Sequence, residues 1–160
     1  DKSEQPEAYS PNFTFPDILK TLPQFTTTGT SEERAVLKIK GTSQAQLKDA
    51  YEKLFLEHWK KDEDTVFGPL GIVSWNEVNT EGTESRRGMG KEFRTGLETG
   101  GLKIIFSNSS GEETDYIWMR GSGTEPVFRV LADCKGTDKE RELTLLRWHT
   151  NLVHEADKQR

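Results

Sequence analysis

The residues best equipped for chemistry lie in one short stretch, Arg120-Gly121-Ser122-Gly123-Thr124, followed by Glu125, Pro126 and a second arginine at Arg129. The stretch separates two apolar runs, so it belongs at a turn between strands. A hairpin needs only a tight two-residue turn such as Asn-Gly. This break is longer, and it carries two hydroxyls, two glycines and two flanking guanidiniums. Glycines let backbone N–H groups converge on an anion with no side chain in the way. Ser122 and Thr124 add hydroxyl donors, and a guanidinium offers two parallel N–H bonds that match a phosphate as an ammonium does not. A phosphate ester, with roughly −1.5 to −2 charges and three acceptor oxygens, is the ligand chemistry that suits this set. No Gly-Lys-Ser/Thr follows and no helix opens there, so the pattern is not a Walker loop. On spacing alone a second reading stays open: a solvated Gly/Ser turn whose arginines pair with Glu125 and Asp133.

The rest of the composition sets limits on partners. The chain has 160 residues, a net charge of −5 and a pI near 5.3, with 32% apolar and 31% charged residues. That acidity argues against nucleic acid, whose backbone requires a basic face. No apolar run reaches membrane-spanning length and no signal peptide opens the chain, so a cytoplasmic protein with no membrane partner is expected. Cys134 lies in an apolar run and reads as a buried free thiol in a reducing compartment. His58, His149 and His154 share no metal-ligand spacing with acids or Cys134, and read as structural or surface residues. The "DED" at Asp62–Asp64 reads as a solvated helix end.

The elements that must position the loop follow from periodicity. Residues 1–12 are polar with two prolines and read as loosely held. Asp17 to Lys20 reads as a short helix ended by Pro23, Thr26–Glu33 as a linker or hinge, and Ala35–Lys40 as a short strand. The strongest helix is Gln44–Trp59, with Leu47, Tyr51, Leu54, Phe55 and His58 on one face and a capping box of Ser43 and Gln46. Val66–Asn79 has the residue types of a strand pair broken at Gly68-Pro69, with Ile72–Val78 the clearer strand. Residues 79–101 read as a long, solvated, glycine-rich loop carrying Arg86, Arg87, Lys91 and Arg94. "LKIIFS", "DYIWMR" and "VFRVLADC" read as antiparallel strands, and Trp118 as core packing rather than a sugar-stacking platform. A last helix, opened by a Thr137/Glu140 box, buries Leu145, Leu146, His149, Leu152, Val153 and Ala156. The sum is an α+β fold, an antiparallel sheet of about four strands packed against two helices.

"RGSGTEPVFRV" resembles the phosphate-binding loop in the C-terminal domain of the α-D-phosphohexomutases, the phosphoglucomutase and phosphomannomutase family. The family pattern Arg-x-Ser-Gly-Thr-Glu-Pro, with an arginine shortly after, matches at Arg120, Ser122, Gly123, Thr124, Glu125, Pro126 and Arg129. "LPQFTTTGT", "LKIKG", the helix ending "EHW" and "TGGLKIIFSN" resemble segments leading into that domain, so the likeness spans about Asp17 to Lys135. It implies a TATA-binding-protein-like C-terminal domain at 41–160, preceded at 1–40 by a tail and linker from an earlier domain. It implies that Arg120, Gly121, Ser122, Gly123, Thr124 and Arg129 hold a substrate phosphate, with Glu125 orienting an arginine or an amide. The family's phosphoserine, its D-G-D-x-D Mg²⁺ loop and its sugar-recognition loop have no counterpart here. The chain therefore reads as a C-terminal portion without catalytic residues or a metal site of its own. The parent would use Mg²⁺ and glucose 1,6-bisphosphate and interconvert glucose 1-phosphate and glucose 6-phosphate, with another phosphosugar as the alternative. Other classes stay open from the residues: a stand-alone regulatory module that binds a phospholigand, or a protein-interaction domain whose hairpin break is only a turn.

Overall fold

The computed structural model describes residues 14–40, 43–94, 96, 98–123, 125 and 127–159. The expectation for residues 1–12 lies outside these. The chain forms an α+β fold in which one open sheet carries its two long helices on one face. The elements are α1 (Phe15–Thr21), β1 (Phe25–Thr27), β2 (Val36–Lys38), α2 (Gln44–Lys61), β3 (Ser74–Glu81), β4 (Glu84–Arg87), β5 (Leu102–Ser107), β6 (Glu113–Gly121), β7 (Val127–Lys135) and α3 (Lys139–Lys158). Every strand pairing is antiparallel, in the order β1-β7-β6-β5-β3-β4, and β2 also pairs with β7. The sheet thus has seven strands where the sequence suggested about four. Of the short strands, β2 falls within the Ala35–Lys40 stretch whose alternation marks it as strand, while β1 and β4 are defined by their partners rather than by their own pattern. β1 and β2, of three residues each, line up along the free edge of β7. β4 returns on β3 through Gly82-Thr83, where Gly82 takes φ 60°, the positive value a two-residue hairpin requires at its first turn position.

The strand period of two divides the sheet cleanly. Glu77, Asn79, Leu102, Ile104, Phe106, Asp115, Ile117, Met119, Phe128, Val130, Ala132 and Cys134 face the helices and are buried. The opposite face carries Val78, Lys103, Tyr116, Trp118, Arg120, Arg129 and Asp133. From α2 the face of Leu47, Tyr51, Leu54 and Phe55 enters the core, and from α3 come Leu145, Leu146, His149, Leu152, Val153 and Ala156. Both faces match the helical periodicity except at His58, which is half-buried beside Asp62 and Glu155 rather than in the core. None of the helices is long and apolar enough to cross a membrane among the described residues.

Several local expectations are corrected. Val66 and Phe67 lie in a π-helical turn, Glu63–Phe67, and not in a strand. Their residue types suit a sheet, but Phe67 is drawn into an aromatic cluster, with ring centroids 4.4 Å from Trp59 and 5.0 Å from Trp148. Asp62 is not a solvated helix end: it accepts from Trp148 Nε1 at 2.9 Å and lies 3.2 Å from His58 Nδ1. The cap of α3 is Asp138, which accepts from the Glu140 and Arg141 amides at 2.9 and 3.2 Å. A carboxylate at the positive end of the helix dipole serves better there than the hydroxyl of Thr137. The Thr26–Glu33 stretch is partly strand, and its Thr28 is buried, hydrogen-bonded through Oγ1 to the Glu142 carboxylate of α3. Arg34 adds a second bond to that carboxylate at 2.9 Å.

Candidate functional site

β6 delivers Arg120 to its penultimate position and β7 carries Arg129 two residues past its start. The ladder sets these two directly opposite each other, on the face without helices. Opposed side chains begin about 4.5–5.5 Å apart at Cβ, and like charges placed so are destabilising. The expected relief would be ion pairs with Glu125 and Asp133. Among the described residues neither arginine makes such a pair. Glu125 is exposed, and Asp133 accepts instead from Thr27 Oγ1 at 3.1 Å. Arg129 is steadied by donating Nη1–H to Thr30 O at 2.9 Å, while Arg120 is exposed. The two arginines therefore stand opposite each other on the ladder, and neither pairs with a carboxylate among the described residues.

The loop between the strands is folded on itself. Ser122 N–H donates to Val127 O at 2.9 Å, Glu125 N–H to Ser122 Oγ at 3.3 Å, and Val127 N–H to Glu125 O at 2.8 Å. These bonds narrow the group of amides expected to converge on an anion. Gly121 is buried as the last residue of β6, opposite Phe128. Gly123 is exposed, and its N–H has no partner among the described residues. Thr124 lies outside the described residues. Glu125 contributes through its backbone, and its side chain meets neither arginine. The first residue of α2 closes the back of the loop: Gln44 Nε2 donates to Ser122 O at 3.3 Å. The N-terminus of a long helix, with its partial positive charge, thereby abuts the loop. Nothing in the local sequence pointed to Gln44, which stands 78 positions from Ser122.

The strand leading into the site is fixed from the helix side. Tyr51 OH lies 2.7 Å from His149 Nδ1, and His149 Nε2 lies 3.1 Å from Trp118 O. A carbonyl only accepts, so Nε2 carries the hydrogen and Nδ1 accepts from Tyr51. Complete burial holds the imidazole neutral, with its pKa lowered to about 4. His149 is thus a structural residue, as the sequence indicated. Trp118 lies half-buried on the helix-free face, its indole over Gly101, where any Cβ would collide with it. Cys134 is buried, and burial followed by Asp115 raises its thiol pKa well above the ordinary range, which leaves no nucleophile there. No three His, Cys, Asp or Glu side chains converge as a metal ligand set among the described residues.

The 79–101 stretch is not a solvated loop. β3 runs to Glu81, β4 pairs back, and Gly90, Lys91, Arg94, Glu98 and Gly100 are tied to Lys48, Asp49 and Glu52 of α2. The Arg94 side chain is 1% exposed and bonds Asp49, while Lys91 Nζ lies 2.9 Å from Asp49, Arg86 3.6 Å from Glu84 and Arg87 3.1 Å from Glu113. Each cation has a carboxylate, so none is held in reserve for a ligand. Lys48, also buried, donates to Glu98 O at 2.7 Å and Gly100 O at 2.9 Å. Beside it a cavity of about 10 Å³ borders Lys48, Asn79, Glu81 and Arg94, room for about one water.

Glu77 is the strained member of this cluster. It is 2% exposed, accepts from Asn79 Nδ2 at 2.6 Å, and leaves Oε2 without a partner among the described residues. Burial first, then the Glu52 carboxylate, push its pKa up to about 8, against the pull of Asn79 and Arg94. The folded state therefore holds a proton that the unfolded chain releases near pH 4.5. Stability from this group is full below that value and is lost as pH rises toward about 8. Glu77→Gln, which keeps the neutral shape, should gain stability over wild type by about 1 kcal/mol or more at the alkaline end of that window. Urea unfolding of both proteins at pH 5, 6.5 and 8 checks this. A difference that does not grow with pH would show that Glu77 is ionised throughout.

No protein-family model and no curated protein matches this chain.

Proposed function

We propose that this chain is the phosphate-gripping C-terminal portion of an α-D-phosphohexomutase, most closely of the phosphoglucomutase kind, with a TATA-binding-protein-like domain. The observation that carries the reading is the Arg120–Arg129 pair, opposed across the ladder and unpaired with carboxylates among the described residues. A fold that sets two cations together at a glycine turn, in a chain of net charge −5, gains from an anion placed between them. The open Gly123 N–H adds a donor of the same sign. The sequence resemblance at Arg120, Ser122, Gly123, Thr124, Glu125, Pro126 and Arg129 supports reading that anion as the phosphate of a phosphosugar.

In such an enzyme a phosphoserine elsewhere in the parent transfers its phosphoryl group to the free hydroxyl of a hexose phosphate. The bisphosphate then returns the other phosphoryl group to serine. Mg²⁺ and the reacting serine belong to other parts of the parent. Here Arg120 and Arg129 would fork onto the phosphate that is not reacting, while Gly123 N–H and the Ser122 and Thr124 hydroxyls complete its oxygens. Glucose 1-phosphate and glucose 6-phosphate each present a phosphate to the same grip in one of the two orientations. Positioning is much of catalysis in phosphoryl transfer, so a clamp that forms no covalent bond still governs rate.

The test is a two-dimensional NMR titration with inorganic phosphate, glucose 1-phosphate, glucose 6-phosphate and glucose. The phosphate-bearing ligands should shift Arg120, Ser122 and Gly123, weakly because the rest of the cleft is supplied by the parent, and the shifts should fade with salt. Equal shifts with neutral glucose, or none at these residues, would leave the loop as a plain turn.

A further inference from the structure

Gln44 makes an unusual contact with the loop. A Cβ on Gly121 would overlap its side-chain amide, so that amide occupies the space beside the glycine. Its Nε2 donates to Ser122 O at 3.3 Å, and its Oε1 is buried with no partner among the described residues. A buried acceptor left unmet costs free energy, as does a strand glycine. Both costs accompany one contact: an apolar side chain at Gln44 would remove the first, and a larger residue at Gly121 the second, so the contact is not explained by stability.

Its geometry explains it. Ser122 C=O and Gly123 N–H belong to one peptide unit, and a trans peptide is planar with these two groups pointing opposite ways. Holding the carbonyl against α2 therefore turns the Gly123 N–H away from α2, outward. Donation to the carbonyl also polarises the peptide and makes that N–H a stronger donor. The preceding peptide is fixed as well, through Ser122 N–H to Val127 O at 2.9 Å. α2 is a firm anchor, since Leu47, Tyr51, Leu54 and Phe55 bury its inner face.

We infer that Gln44 is a positioning residue for the phosphate loop: it orients the Ser122–Gly123 peptide so that the Gly123 N–H is presented to the anion held by Arg120 and Arg129. This rests on the phosphate reading of the loop. Gln44 acts through Ser122 and does not touch the ligand.

The experiment measures binding of inorganic phosphate and glucose 1-phosphate by chemical-shift titration in wild type, Gln44→Leu, Gly121→Ala, Gln44→Ala and Gln44→Ala/Gly121→Ala, with the melting temperature of each. Gln44→Leu keeps the volume and loses the donor. It should weaken both ligands by about five- to tenfold, the order of one hydrogen bond, with the Gly123 amide resonance displaced and the melting temperature not lowered. Gly121→Ala, which evicts Gln44, should lose as much. The double variant should bind no worse than Gln44→Ala alone, because the new methyl fills the vacated space. That comparison decides the matter if Gln44→Leu folds poorly. Wild-type affinity in Gln44→Leu with an unmoved Gly123 resonance, or additive losses in the double variant, overturns the role of Gln44 while the phosphate reading stands. A wild type that binds neither ligand overturns both.

Discussion

Arg120→Lys is expected to weaken phosphate-ester binding by about 1–3 kcal/mol, roughly 5- to 150-fold, while the fold keeps its stability. Lysine retains the charge but presents a single point of contact, and the planar fork that spans two phosphate oxygens is lost. The like-charge opposition with Arg129 persists, so unfolding free energy should change little. Arg120→Ala separates the two roles further. It should abolish measurable binding and yet stabilise the fold by about 0.2–1 kcal/mol, because it removes a cation from directly opposite another. Loss of binding together with gain of stability is the signature of a residue kept for its ligand. Calorimetric or NMR affinities set beside denaturant midpoints give both numbers. If Arg120→Ala destabilises the protein and leaves phosphate binding intact, the arginine pair is part of the scaffold and the site lies elsewhere.

Arg141→Ala should cost about 3–5 kcal/mol of folding stability, the scale for stranding a buried charge. The Asp115 side chain has no exposed surface. Arg141 donates Nε–H to its Oδ1 and Nη2–H to its Oδ2, both at 2.6 Å, and Nη1–H to Leu70 O at 2.6 Å. One guanidinium thus joins α3, the start of β6 and the segment before β3. Removing it leaves a buried carboxylate without its cation, its Oδ2 still bonded to the Thr114 hydroxyl. Lysine has no fork with which to meet all three acceptors, so Arg141→Lys should recover only part of the loss. A domain of this size is stable by about 5–15 kcal/mol, so the alanine variant should unfold at much lower urea with an unchanged slope. A loss below about 1 kcal/mol would class the pair with exposed salt bridges.

These two arginines show how differently residues of one type can be read from a sequence. Arg120 was legible because its neighbours are informative: glycines, hydroxyls and a second arginine at short range. Arg141 sits in a run of charges opening a helix, and nothing near it marks Asp115 as its partner. The same contrast holds for Arg94, whose glycine-rich surroundings suggested a solvated loop, whereas its side chain is buried against Asp49. Partners distant in sequence leave no local trace.

The amino-acid sequence by itself determined the amphipathic faces of α2 and α3, the long strands β5, β6 and β7, and the break after Gly121 with its glycines, hydroxyls and flanking arginines. Those properties arise from contacts within a few residues: side-chain period, capping groups and the backbone freedom of glycine. Tertiary structure alone decided the rest. It added β1 and β4, which are too short to declare themselves, and it turned Glu63–Phe67 into a π-helical turn to seat Phe67 among aromatic rings. It placed Arg120 opposite Arg129, because strand register is fixed by pairing and not by either strand's own pattern. It also brought Gln44 to Ser122 across 78 positions, through the packing of a helix on a sheet, where side chains meet according to shape and burial rather than order along the chain.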